Sequence, residues 1–168
     1  MTFSKTLLAL IAAAMPTAAF AAPGDSATTA GASDARIVEP LALQSLEDLR
    51  FGTFVRPTAA GTVTIAADST VTSALDLAAF PNGRGAASFL VRGTANRLFI
   101  TFLPTTVTIT NGTATMRVDT FRKNGGAGLN RLDANGYHVL TIGARLRVNA
   151  NQQAGNYSGN FAVRVLYL

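Results

Sequence analysis

Apolar and polar residues alternate over many short stretches of this chain, from about residue 37 to residue 168. Successive side chains of a β-strand point to opposite faces of a sheet, so each stretch predicts a strand with one buried face. The last stretch, 154–168, begins with a Gly-Asn turn and carries on one parity Tyr157, Gly159, Phe161, Val163, Val165 and Tyr167. An apolar strand needs partners along its backbone edges, because an unpaired edge joins other chains.

Ten such stretches predict strands: 37–43, 46–55, 62–66, 70–75, 87–92, 98–103, 106–110, 113–121, 137–148 and 154–168. Asn111-Gly112 is a strong hairpin signal, and residues 124–130 are a glycine-rich loop. Pro40 cannot donate to a ladder, so the first strand is expected at an edge or a bulge. No helical period follows residue 22. We therefore expect an all-β fold, an immunoglobulin-like two-sheet β-sandwich that is mainly antiparallel, with a closed barrel as the alternative.

The first 35 residues have a different composition. Lys5, an apolar run over 6–15 and the small-x-small motif Ala19-Phe20-Ala21 have the form of a signal peptide, and cleavage is expected after Ala21. The apolar run is about half the ~20 residues that a membrane span needs, so no stable membrane anchor is expected. Residues 22–35 are small and polar and predict a flexible tail, which leaves 36–168 as the sandwich domain.

Charge and cysteine content narrow the class of protein. The whole chain has a formal net charge of +5 and no cysteine, so no disulfide or thiolate metal site is available. Arg145, Arg147 and Arg164 share the outward parity of their stretches, and Arg92 and Arg117 are possible additions. Together they form a candidate basic face for an acidic polysaccharide or a lipid headgroup. A solvated face is the alternative reading. Without interleaved aromatic residues, nucleic-acid binding is not expected.

Catalytic chemistry has few candidate residues. His138 is the only histidine, and it shares parity with Leu140 and Ile142, so we expect a packed or capping side chain. The acidic residues are dispersed and form no calcium loop. The glycines at 125–128 precede no Gly-Lys-Ser/Thr sequence, which a phosphate loop requires. We expect no enzyme activity, no metal and no cofactor.

The ordered region resembles the bacterial domain of unknown function 4402 family of exported β-sandwich proteins. The stretches that carry the resemblance are I-V-E-P-L-A-L, D-L-R-F-G-T-F-V, G-T-V-T-I and V-N-A-N-Q-Q-A-G-N-Y-S-G-N-F-A-V-R-V-L-Y. Together they cover about 36–168.

The C-terminal stretch is also similar to chaperone–usher pilin subunits, including their spore-coat-U-like branch. Those subunits have an aromatic penultimate residue and a glycine fourteen places from the end, as Tyr167 and Gly155 are here. The resemblance implies an assembly strand that includes Phe161, Val163 and Val165. It also implies a sandwich that lacks its last strand, a periplasmic chaperone and usher as partners, and growth by strand exchange between subunits. The pilin disulfide has no counterpart in this chain.

We therefore expect an exported structural protein of the periplasm, cell surface (fimbrium) or extracellular space, a fimbrial or pilin-like subunit that forms homo-oligomers or joins other pilus subunits. The alternative is a self-contained β-sandwich module that binds cell-surface or anionic glycans. A last strand with a full-length partner favours the module, and an open apolar groove beside it favours the subunit.

Overall fold

A computed structural model describes residues 39–168. Within them the chain forms twelve strands: β1 (Ala42–Glu47), β2 (Arg50–Phe51), β3 (Gly61–Ile65), β4 (Val71–Ser73), β5 (Arg84–Gly85), β6 (Ala87–Arg92), β7 (Leu98–Phe102), β8 (Thr106–Thr110), β9 (Thr115–Lys123), β10 (Asn130–Arg131), β11 (Tyr137–Val148) and β12 (Arg164–Tyr167). All of their pairings are antiparallel. The expected all-β sandwich is confirmed.

The first layer is a seven-stranded sheet built around β11. One edge of β11 pairs with β6 along its first half and with β3 along its second half, while the other edge pairs with β9. β1, β4 and β8 extend the sheet from β6, β3 and β9. The inward residues of β11 are those that its alternation predicts, and all are buried: Leu140, Ile142, Ala144, Leu146 and Val148.

The second layer is a three-stranded sheet in the order β10-β7-β12. Phe99 of β7 is completely buried and belongs to the same hydrophobic cluster as the inward residues of β11. A single core therefore lies between the two layers. The short β2–β5 pair forms a separate two-stranded sheet.

Several strand boundaries differ from the sequence expectation. Within the described residues the first strand begins at Ala42, so 39–41 of the expected 37–43 strand are not in a strand. The expected 46–55 strand is divided: its first two residues end β1, where Glu47 pairs with Ser88, and only Arg50–Phe51 of the rest is paired. Gly52 has a φ of 73° and ends that pairing. The Asn111-Gly112 hairpin is present, but its loop extends to Ala114, because the Asn111 side-chain oxygen accepts hydrogen bonds from the Thr113 and Ala114 amides.

The expected long strand over 154–168 is the main correction. Only Arg164–Tyr167 forms ladder pairs, with β7, and Ser158 makes a single bridge to Thr110. The alternation is nevertheless kept, since Tyr157, Phe161, Val163, Val165 and Tyr167 are half-buried against the core while the residues between them are exposed. Within residues 39–168, the part of this segment between the Ser158 bridge and β12 has no ladder partner.

The expected signal peptide (1–21) and tail (22–35) lie outside the described residues. Within 39–168, no helix is long and apolar enough to cross a membrane.

Candidate functional site

An open groove of about 920 Å³ lies between two stretches of irregular chain. One wall comes from residues 45–57, which include the end of β1 and all of β2, and the other comes from residues 152–161 before β12. Gln152 is buried in the second wall, where its side-chain amide donates to the Thr115 carbonyl at 3.2 Å and to the Tyr157 hydroxyl at 2.9 Å. These bonds attach that wall to β9.

The floor of the open groove is the inner face of the seven-stranded sheet. Its side chains come from β6, β8, β9 and β11 and are almost all aliphatic or aromatic: Phe89, Val107, Ile109, Met116, Val118, Phe121 and Leu146. In a two-layer sandwich such a face is normally covered by the second sheet. Here the second sheet has only three strands within the described residues. It does not cover this part of the inner face, which forms the floor of the groove.

The C-terminal wall has unused backbone groups. Within the described chain, no backbone-to-backbone hydrogen bond involves residues 159–163, although Ser158 exchanges two with Thr110 at 2.9 and 3.0 Å. β12 pairs with β7 along one edge, and its other edge has no strand partner among residues 39–168. Unpaired edges of this kind are places where another strand adds to a sheet.

Two of the five residues that the sequence assigns to the assembly strand, Gly155 and Phe161, lie in this wall, and the other three continue beyond it into β12: Val163, Val165 and Tyr167. Phe161 packs edge-on against Phe89, with ring centroids 6.2 Å apart, and lies 5.3 Å from the ring of Phe121. Val163 and Val165 are half-buried against the core. Gly155 is the first of the five residues and has a φ of 149°. A β-carbon at this position would lie 2.8 Å from Nδ2 of the Asn111 side chain.

Tyr167 holds the end of this strand to the start of the domain. Its hydroxyl accepts a hydrogen bond from the Thr94 amide at 2.6 Å and donates one to the Glu39 carbonyl at 3.0 Å. The Arg97 guanidinium lies 5.6 Å from the ring centroid. The penultimate aromatic residue is therefore a structural anchor as well as a member of the apolar face.

The candidate basic face is divided between two sheets. Arg145 and Arg147 lie together on β11, and both donate through Nε to the carboxylate of Asp119, whose side chain is only 7% exposed. Arg164 lies on β12 in the three-stranded sheet and does not belong to this group. Of the two possible additions, Arg117 joins this group, with its Nε 3.8 Å from Asp119, whereas Arg92 lies over the Tyr137 ring at the other end of β11. The Arg145 hydrogen bond is the largest cause of an Asp119 pKa well below its usual value.

Sequence reasoning missed Asp119, because a bulge in β9 changes the parity of the strand. Thr120 has a φ of 55°, and three steps along β9 match two along β11 at this point. Met116 and Val118 therefore face inward before the bulge and Phe121 after it, which leaves Asp119 on the outer face opposite Arg145. No turn residue in the sequence signals this bulge.

His138 joins β11 to β10. Its Nδ1 is 3.1 Å from the Arg131 carbonyl, its Nε2 is 3.1 Å from the Asn130 amide nitrogen, and its ring lies edge-on to Phe99 at 5.3 Å. The carbonyl requires a donor, so Nδ1 carries the proton and Nε2 accepts. Burial lowers the pKa of His138, with a smaller contribution from Lys123. Both ring nitrogens are engaged in holding the strands.

Among residues 39–168, no three histidine, aspartate or glutamate side chains are grouped as metal ligands would be.

Comparison with known proteins gives one family. The family model described as Domain of unknown function (DUF4402) matches residues 41–167. No curated protein and no solved structure matches the chain.

Proposed function

The chain belongs to the DUF4402 family, and we propose that this member is an exported structural surface protein, a pilin-like subunit that assembles by strand exchange. The observation that carries the proposal is the open groove, with its apolar floor and the unused backbone groups of residues 159–163. We place the protein outside the inner membrane, in the periplasm or on the cell surface, and we propose no catalytic role for it.

The open groove has the two features that strand addition requires. Backbone groups along a sheet edge supply affinity, and apolar pockets that receive alternate side chains supply specificity. A strand laid beside residues 159–163 would run about 17 Å, since five residues rise ~3.4 Å each. Its inward side chains would meet Phe161 on the wall and Val107 and Ile109 on the floor, all of them only half-buried.

The occupant that we propose is the N-terminal segment of another copy, residues 22–38. Fully extended, it would reach about 55 Å, several times the length needed. Ile37 and Val38 are its only large apolar residues, and the residues before them are small. Such a donor supplies backbone hydrogen bonds but few apolar anchors, so the joint between subunits is expected to be weak and heat-sensitive. A periplasmic chaperone would protect the groove before assembly, and an usher would order the exchange.

Light scattering during size-exclusion chromatography tests strand exchange. Purified mature protein beginning at Ala22 should form linear oligomers that dissociate on heating. Removing 22–36 should stop chain growth while leaving a domain that binds an added peptide of residues 22–38. Intact mass of the exported protein checks cleavage separately, and retention of Met1 would refute export without bearing on the groove.

Two neighbouring positions on β8 give a matched pair of variants. Val107→Asp places a charge in the groove floor and should abolish peptide binding, whereas Thr108→Asp lies on the opposite, exposed face and should leave it intact. Circular dichroism confirms that each variant is folded. A monomeric mature protein that is unchanged by the truncation and binds no peptide would contradict strand exchange and favour the self-contained glycan-binding module.

A further inference from the structure

Four charged residues form a block on the outer face of the seven-stranded sheet, opposite the open groove. On β11 Arg145 faces Asp119 of β9, and Arg147 faces Arg117 of β9, each pair directly across the ladder. Residues directly opposite in an antiparallel pair have β-carbons about 5 Å apart. Three guanidinium groups and one carboxylate are therefore held in a compact square, which we call the arginine block.

Asp119 orients two of the arginines without using their terminal nitrogens. Arg145 and Arg147 both reach the carboxylate through Nε, and the Asp119 carboxylate also accepts from the Thr120 hydroxyl at 2.9 Å. Within residues 39–168, no hydrogen bond is made by the terminal guanidinium nitrogens of Arg117, Arg145 or Arg147. Each terminal pair is a fork of donors that fits a carboxylate or sulfate group.

The excess positive charge of the arginine block lowers the stability of the fold. Like charges directly opposite on neighbouring strands are destabilising, and Arg147 faces Arg117 in this way. Asp119 is ionised at neutral pH, and its Arg145 and Arg147 hydrogen bonds lower its pKa further, yet a single carboxylate leaves two of the three positive charges unbalanced. A partly compensated cationic cluster with oriented donors is the arrangement expected of an anion receptor.

Hydroxyl groups surround the arginine block. Thr64 and Thr62 of β3 lie directly across from Arg145 and Arg147, and on the far side Thr106 and Thr108 of β8 lie across from Asp119 and Arg117. A shallow hollow beside the block is lined by six polar residues and by the buried Met116; the polar residues are Thr106, Thr108, Thr115, Arg117, Arg147 and Asn149. No large hydrophobic side chain of β3, β8 or β9 is exposed on this face. The exposed Tyr137 and Val139 of β11 lie at the other end of that strand, about 20 Å or more from Arg145 along the chain.

The side chains around the arginine block distinguish between a lipid surface, a nucleic acid and a polysaccharide as its anionic ligand. A lipid surface would need exposed apolar side chains beside the charges, and a single-stranded nucleic acid would need aromatic rings for its bases. Threonine and asparagine side chains instead offer hydrogen bonds to sugar hydroxyls. We propose that Arg117, Arg145 and Arg147 form a binding site for the carboxylate or sulfate groups of an acidic polysaccharide.

Binding to immobilised dextran sulfate and polygalacturonate tests the site, with uncharged dextran as the reference polymer. Wild-type protein should bind both acidic polymers, with an affinity that falls as salt rises, and should not bind dextran. Arg117→Gln is the least disruptive change, because this side chain is 61% exposed and its link to Asp119 is a long contact of 3.8 Å. It should lower the affinity about threefold to fivefold, the effect of one exposed charge contact, without lowering the melting temperature.

Arg164→Gln is the matched control, since it removes the same charge from the other sheet and should leave the affinity unchanged. Equal losses in Arg117→Gln and Arg164→Gln would show that only net charge matters and would overturn the site. Binding of vesicles with anionic phosphatidylglycerol, or of single-stranded DNA, as tight as that of the acidic polysaccharides would overturn the assignment of the ligand class. Unchanged affinity in a double variant that carries Arg117→Gln and Arg147→Gln would show that these residues do not form the binding site.

Discussion

Replacing Asp119 by alanine removes the one negative charge of the arginine block. The carboxylate accepts charged hydrogen bonds from Arg145 and Arg147, and hydrogen bonds to charged groups contribute about 1.5–3 kcal/mol each when both partners are buried. The two arginine side chains are 33% and 49% exposed and would regain water in the variant, which reduces the loss. We expect a net loss of about 2 kcal/mol in the free energy of unfolding.

The size of this loss should depend on pH in a defined direction. Asp119 has a folded-state pKa below its ordinary value of 3.8, so the carboxylate stabilises the fold fully at pH values well above 3.8. The contribution diminishes as the pH falls below 3.8, because the unfolded chain takes up the proton first. The difference between wild type and Asp119→Ala should therefore be largest near pH 7 and smaller at pH 3.

Thermal unfolding followed by circular dichroism measures this effect. At roughly 4 °C per kcal/mol for a domain of this size, Asp119→Ala should melt about 8 °C below wild type at pH 7. Asp68→Ala is a suitable control, because Asp68 is an exposed turn residue whose pKa is also lowered, by the Thr70 amide, but which has no arginine partner. A loss below about 0.5 kcal/mol, or one equal at pH 3 and pH 7, would refute the stabilising role of this carboxylate.

Three further substitutions, two of them paired with a control variant, test the packing. Gly143→Ala should destabilise the domain by several kcal/mol, because its β-carbon would overlap the backbone of β3 and overpacking is costly, whereas Gly128→Ala, in open space, should melt like wild type. Tyr167→Phe should lose about 1–2 kcal/mol in urea unfolding by removing the hydroxyl from its two backbone partners. Val163→Asp should abolish soluble folding, since it places a charge against the core, while Arg164→Asp should be mild. Equal melting of the last two would mean that the register of the final segment is wrong.

The boundaries of three strands were predictable because their own sequences determine both the buried face and the two ends. β6, β8 and β11 begin and end at the predicted residues, since alternation sets the buried face and glycine or asparagine follows each strand. The pairing of β11 with both β6 and β3 along one edge was not predictable. It depends on which distant strands meet, and periodicity carries no information about long-range partners.

The C-terminal segment shows where alternation and strand formation separate. Alternation reports which side chains are buried, and this was predicted correctly from Tyr157 to Tyr167. Ladder formation also requires a backbone partner in hydrogen-bonding register, and within the described chain residues 159–163 make no backbone-to-backbone hydrogen bond. Parity also does not tell in which sheet a strand lies. Arg164 shares the outward parity of Arg145 and Arg147, but it lies in the other sheet, so the three do not form one face.

The two proposed sites lie on opposite faces of the same strands, and this predicts a property that neither has alone. The open groove uses the inner face of β8 and β9, so a strand bound there leaves the arginine block on their outer face uncovered. Each subunit of a fibre would then carry one block, and a linear polyanion could contact several at once. Linked weak sites gain avidity through a high effective concentration, by a factor of about a hundred or more.

Oligomers of the mature protein should accordingly bind immobilised polygalacturonate about a hundredfold more tightly than the truncated monomer that lacks 22–36. The gain should disappear in oligomers of Arg117→Gln combined with Arg147→Gln, which keep the groove but lose the block. Oligomers that bind no more tightly than the monomer, per subunit, would show that assembly covers the outer face. In that case the joint between subunits would have to include the arginine block, and the strand-exchange geometry proposed for the groove would be incorrect.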